Sequence, residues 1–238
     1  MKATKSAKDA RRAHRAAKEQ RKRDDRPRLV GLGGKFERDL AERILAAIGE
    51  IDVLAGWDEL GPRVLPVLKR THTPFPPELA PLLMQVPPGI WTGFGIDIGP
   101  AFTHVTPDRL EAWGVDRATL LATALDNLRT LTVSERPLVQ RLTFEGYDLI
   151  GVQGQGWGSA LLLLPDVLEP ILGPEPRILL APVRNTIVAL PDDVDAEVAI
   201  DVWHAFADGA HDELAVDPVR WTGSAVVGLG EVSPGLPN

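Results

Sequence analysis

Five polar side chains stand inside runs that otherwise read as core: Asp97 in GIDIG, Asn127 and Arg129 in ALDNLRTL, Arg184 and Asn185 in APVRNTIVAL. Burying a polar group without a partner is costly, so two readings of these residues stand side by side. In the first they line one cleft, where a carboxylate, an amide and two guanidinium groups hold a polar ligand or a reacting group. In the second each has a local duty, Asn185 in a turn and Arg129 at a helix C-terminus.

Other motifs that could carry chemistry each lack a required part. Gly33-Gly34-Lys35 misses the G-x-x-x-x-G-K-[ST] spacing, and Phe36 stands where a hydroxyl would meet magnesium; it reads as a flexible joint. GVQGQGWGS, from Gly151 to Ser159, has amides that could cradle a phosphate. It has no following Lys and no acid suitably placed in a βαβ unit, so a bulged or flexible loop is the expectation. Ser159 sits in G-W-G-S-A rather than the nucleophile elbow G-x-S-x-G. His204, Asp208, His211 and Asp212 cluster in sequence, but H-E-x-x-H is absent and Gly209 is expected to end the helix before His211. A solvated helix end results. The adjacent acids Asp24-Asp25, Asp58-Glu59 and Asp192-Asp193 point to different faces of any regular element. No residue is assigned a catalytic, cofactor or metal role, and with no cysteine in the chain, thiolate nucleophiles, disulfides and Cys-based metal sites are excluded.

The elements that must position these residues follow from periodicity and punctuation. Ser159 to Pro191 is the densest apolar stretch. Within it, ILLAPV and TIVAL flank Arg184-Asn185 and predict a hairpin, because Asn tolerates positive φ. Before them, Val167, Leu168, Ile171 and Leu172 recur at helical spacing with Pro165 at N1. The prolines between Pro62 and Pro88 exclude a long helix there and leave room for one edge strand over Val64 to Leu68. Ile90 to Ile98 and Ala101 to Val105 predict paired strands turned at Gly99-Pro100. Thr106-Pro107-Asp108 opens a helix stopping near Gly114, and Asp116 caps a second reaching about Leu131. Leu138 to Phe144 and Tyr147 to Val152 read as strands joined at Glu145-Gly146. Asp195 starts a last helix ending near Gly209, and Ala225 to Leu229 is one more apolar run. Upstream, Phe36 to Ile51 reads as an amphipathic helix after the GLGG break at Gly31 to Gly34.

The expected fold class is α+β, with antiparallel hairpins and sheets covered by helices in the order α-ββ-α-ββ-α-ββ-α and a disordered basic N-terminal arm. The expected organisation is a basic arm over 1–28, a single α+β domain over 29–232 and a loose C-terminus over 233–238. Two similar halves, 90–131 and 147–208, are an alternative within that domain.

The net charge of -7 over 238 residues hides a division. Residues 1–28 hold twelve Lys or Arg against four acids, a balance of +8, while the remaining residues hold fourteen against twenty-nine, a balance of -15. Arg11, Arg12, Arg15, Lys18, Arg21, Lys22 and Arg23 are the candidate polyanion contacts, gaining affinity through counterion release without needing a fold. A solubilising tail that folds back onto the acidic body is the other reading. The longest apolar runs are about six residues, against the ~18 to 20 needed to span a bilayer, and no apolar segment follows the basic start as a secretory signal requires. A cytoplasmic location without membrane contact is the expectation.

VLPVLK (Val64 to Lys69), GIDIG (Gly95 to Gly99), ALDNLRTL (Ala124 to Leu131) and APVRNTIVAL (Ala181 to Leu190) occur in an order that resembles the YtpQ-like family of uncharacterised bacterial proteins, over roughly residues 60 to 230. The resemblance implies a fold and a bacterial cytoplasmic setting; it brings no activity, substrate or cofactor. The arm before Arg28 and the loop Gly151 to Gly158 depart from that pattern. The expected function is a non-catalytic protein-binding or adaptor domain with an unknown protein partner and no cofactor. A nucleic-acid-associated protein anchored by the arm comes next, and an enzyme using the polar cleft third.

Overall fold

A computed structural model describes residues 55–69, 80–86, 89–97, 102–207, 210, 214 and 216–229, all within the unit that spans 46–238. The basic arm, the Gly31 to Gly34 break, the helix expected over Phe36 to Ile51, the Gly99-Pro100 turn and the 233–238 terminus lie outside the described residues, as do His14, His72, Asp208, His211 and Asp212.

The architecture is α+β, with two antiparallel sheets. A short helix α1 (Trp57–Leu60) and a 3-10 turn (Gly61–Arg63) lead into β1 (Val64–Leu68). The strands β2 (Met84–Gln85), β3 (Trp91–Asp97) and β4 (Phe102–His104) complete the smaller sheet, in which β3 is central and pairs with the other three. Pro66 lies in β1 opposite Phe94. A proline donates nothing to a ladder, so it fits a strand with a neighbour on one side only.

β3 reads W-T-G-F-G-I-D, and its alternation sends Thr92, Phe94 and Ile96 to one face. Phe94 and Ile96 pack there with Leu60, Val64, Leu110, Leu120 and Ala124. The helices α2 (Pro107–Trp113) and α3 (Arg117–Ser134) supply the last three of these. Their starts are as the sequence predicts: Thr106 Oγ1 accepts from Arg109 N at 3.3 Å, and Asp116 Oδ1 from Thr119 N at 2.7 Å. Gly114, at φ 66°, ends α2 in the left-handed region that favours glycine. α3 runs three residues past the expected Leu131; its side-chain hydroxyls at Thr132 and Ser134 donate back to Arg129 O and Leu131 O.

The larger sheet has the order β10-β9-β7-β8-β6-β5. Its strands are β5 (Leu138–Phe144), β6 (Tyr147–Gln153), β7 (Arg177–Val183), β8 (Thr186–Pro191), β9 (Val219–Trp221) and β10 (Val226–Gly228). Ile150, Val152, Leu179, Ala181, Ile187 and Ala189 form one face, against the 3-10 helix Gly158–Leu163 and α4 (Pro165–Leu172). Leu149, Leu180, Val188 and Leu190 form the other, under Val198 and Val202 of α5 (Ala196–Ala207). Strands buried on both faces read as continuous apolar runs, which explains why ILLAPV and TIVAL sit in the densest stretch. Each fully buried Leu, Ile or Val contributes about 1.5–3 kcal/mol.

The helix starting at Pro165 stands as predicted, set off from the 3-10 helix before it because a residue before proline is held out of the helical region and Leu164 adopts φ -124°, ψ 73°. One local expectation changes. The hairpin turns at Arg184-Asn185 as predicted but not by positive φ, since Glu145 is the one non-glycine residue in that region among the described residues. A register shift between Leu180 and Val183 puts an extra residue in β7 and supplies the twist that the turn needs. Asn185 Oδ1 accepts from Thr186 Oγ1 at 2.8 Å. The Glu145-Gly146 turn, with both φ positive (50° and 88°), is the one that follows the two-residue hairpin rule.

Candidate functional site

The five polar residues are distributed over three places. Asp97 and Asn127 line one cavity of about 400 Å³ together with Pro62, Arg63, Thr130 and Ser134. Asn127 is committed within it: its Nδ2 donates to Gly61 O at 2.8 Å and to Val64 O at 2.9 Å. Both amide protons thereby tie α3 to the start of β1, a structural duty. Arg129 forms exposed ion pairs with Asp126 (3.2 Å) and Asp166 (3.3 Å), a class that contributes about 0–1 kcal/mol each. Arg184 and Asn185 sit in the β7–β8 turn.

The glycine-rich loop closes onto that turn. Gly154 N donates to Asn185 O and Ser159 N to Arg184 O, each at 3.0 Å, while Gly158 N donates to Gly154 O at 3.3 Å. A Cβ at Gly158 would run into the Asn185 carbonyl, and one at Gly154 into the Trp157 ring. The glycines thus permit a close backbone approach, and these amides are used on the protein's own carbonyls rather than offered to a phosphate.

Arg184 meets two residues that sequence reasoning missed. On the face of β3 opposite Phe94, Gly93 and Gly95 are buried, and with no side chain of their own they let neighbouring side chains lie down across them. Lys69 crosses Gly93, where a Cβ would meet its Cγ at 3.2 Å; Phe102 crosses Gly95, where a Cβ would meet its ring at 3.0 Å. Lys69 Nζ then lies 3.3 Å from His104 Nε2. The Arg184 guanidinium stacks 5.5 Å from the centroid of Phe102, and its Nε is buried without a hydrogen-bond partner among the described residues. The cluster joins the end of β1, the β4 strand and the β7–β8 turn. Burial first, then the charges of Lys69 and Arg184, lower His104 from its ordinary 6.5 to about 4, leaving the ring neutral at pH 7. Burial and then Arg184 lower Lys69 as well. The signal available in sequence was the W-T-G-F-G alternation, which marks a bare strand face.

The far edge of the larger sheet is the second feature. From Leu138 to Thr143 every residue of β5 is exposed, and its seven residues pair with β6 in unbroken register. Among the described residues no strand pairs with its other side. Among the described residues seven large apolar side chains are exposed, and four fall in one stretch: Val133 (78%), Leu138 (54%), Val139 (43%) and Leu142 (37%).

A third feature is an apolar groove of about 640 Å³ beside α5, bordered by Ile200, Trp203, His204 and Leu229. Asp192 nearby pairs with Arg220 at 2.9 Å. Among the described residues there is no group of three or more His, Asp or Glu that could hold a metal ion, and no helix long and apolar enough to cross a membrane. No family model, curated protein or solved structure matches this chain.

Proposed function

We propose that this chain is a non-catalytic protein-binding module that receives an extended segment of a partner protein as an added strand against β5. The observation carrying this reading is the concentration of exposed apolar side chains on a strand whose outer side has no pairing neighbour among the described residues. Edge strands are normally blunted by shortness, proline, bulges or several charges; β5 has seven residues, no proline, no bulge and a single charge, Arg141. Such an edge offers main-chain hydrogen bonds for affinity and alternate side chains for specificity.

The pattern along β5 sets the partner's chemistry. Leu138, Gln140 and Leu142 share one face, and Val139 and Arg141 the other. A complementary segment alternates apolar residues on the leucine face with an acidic residue opposite Arg141. A second copy paired symmetrically over all seven residues would set Arg141 against its own counterpart, which like-charge repulsion disfavours. The test is fluorescence anisotropy with a seven-residue peptide of alternating Val and Glu against one with Lys in place of Glu. Saturable binding of the acidic peptide, weakened at least roughly tenfold in Leu138→Lys/Leu142→Lys, supports the reading; equal binding of both peptides, or none, contradicts it.

The YtpQ-like resemblance and the cytoplasmic setting belong to the same proposal. They rest on segments that in the structure are β1, β3, α3 and the β7–β8 hairpin. The second reading, a nucleic-acid tether, rests on the +8 balance of residues 1–28. Binding to RNA or DNA that vanishes with residues 1–28 and falls steeply with salt would support it.

A further inference from the structure

We propose that the groove beside α5 binds a small molecule with an apolar body and a positively charged amine. The groove follows from how the larger sheet is covered. A helix is about 10 Å across, enough for about two strands at their ~4.8 Å spacing, and α5 sets Val198 and Val202 over Leu180, Val188 and Leu190 of β7 and β8. The β9 side of that face lies beyond the helix. There Ile178 and Leu180 of β7 border a space of about 640 Å³, shared with Ala199, Ile200 and Trp203 of α5 and with Val216 and Leu229. That volume falls within the range of small-molecule sites, about 300–1,000 Å³. Of the seven exposed large apolar side chains among the described residues, three lie outside the β5 stretch, and two of these, Ile200 and Leu229, border the groove. The polar groups set the charge of the occupant. Among the described residues Asp192, Asp217 and His204 line the groove and no Lys or Arg does. Asp192 is paired with Arg220. Asp217 is exposed and enters no hydrogen bond or ion pair among the described residues, so its carboxylate can receive an ammonium. Trp203 adds an aromatic ring, whose face attracts a cation. A neutral or anionic molecule of the same shape would gain the apolar contact without the charge pairing. The groove borders β7 on its β9 side, away from β5 in the strand order, so the site stands whether or not the strand-addition reading does.

The experiment is an NMR titration of the full chain with three probes of one shape, 4-phenylbutylamine, 4-phenylbutanol and 4-phenylbutyrate, at pH 7 and constant ionic strength. The Trp203 indole N–H and the methyl groups of Leu180, Ile200 and Val216 report on the groove. The expected result is saturable shifts at these groups with the amine, which binds roughly threefold or more tightly than the alcohol, and the alcohol more tightly than the acid. Asp217→Asn should bring the amine down to the level of the alcohol, while Ile200→Ser should weaken all three probes and leave their order intact. Both positions are exposed, and the order of the three probes is read in the unaltered chain, so the result holds even if a variant fails to fold. No saturable shift with any probe, or shifts spread over the surface without preference for the groove, would overturn the site. Binding of the acid as tight as that of the amine, or an amine preference unchanged in Asp217→Asn, would overturn the assignment to a cationic ligand.

Discussion

The two outer strands of the larger sheet are built in opposite ways. β10 has three residues, Val226–Gly228, and it follows β9 through a turn in which Thr222 N donates to Ala225 O at 2.9 Å. The end of β9 is anchored by Trp221, fully buried and donating from Nε1 to Gly173 O at 2.8 Å. At the other side β5 runs seven residues with its side chains in solvent on both faces. A sheet must end somewhere, and the β10 side shows that this fold can end one with a short, anchored strand. The open β5 edge is therefore a feature in its own right, and sheet construction alone does not account for it.

Substitutions separate the two ends by what they cost. Trp221→Ala should give the largest loss, about 3–5 kcal/mol, from the cavity and the lost hydrogen bond; urea unfolding measures it, and a loss under about 1 kcal/mol would mean that the β9–β10 end is no anchor. Asn127→Ala leaves two carbonyls at the start of β1 without their donor and should cost about 1–3 kcal/mol in the same assay. His104 comes next. Its folded value of about 4 lies below the ordinary 6.5, so between those values the unfolded chain binds a proton that the native chain does not. Stability then falls as pH drops through that window and levels off below it. The loss should be about 1–2 kcal/mol once solvent screening is allowed for, and His104→Gln should flatten it in a series of melts from pH 7 to pH 4. Leu138→Lys should have the smallest effect on stability, within about 0.5 kcal/mol, because the side chain is more than half exposed, while still weakening peptide binding.

Much of the fold was legible because its signals are local. The caps at Thr106 and Asp116, the proline at N1 of α4 and the Glu145-Gly146 turn each depend on a few adjacent residues, and all four stand where the sequence puts them. The site was less legible because it depends on strand order. Asp97 and Asn127 line one cavity, while Arg184 does not join them, since it turns to the ring of Phe102. Lys69 simply follows the Val64 to Leu68 run in sequence; only the pairing of β1 with β3 brings it across Gly93 to His104. L-V-Q-R-L-T-F was recognisable as a strand, but its place at the end of the order comes from long-range pairing.

Amide hydrogen exchange across β5, with and without the alternating Val/Glu peptide, tests the central claim most directly. Strand addition predicts that β5 amides facing away from β6 exchange fast in the free chain and become protected on binding, with β10 unchanged. Protection confined to the groove beside α5, or no change in β5 at saturating peptide, would contradict it.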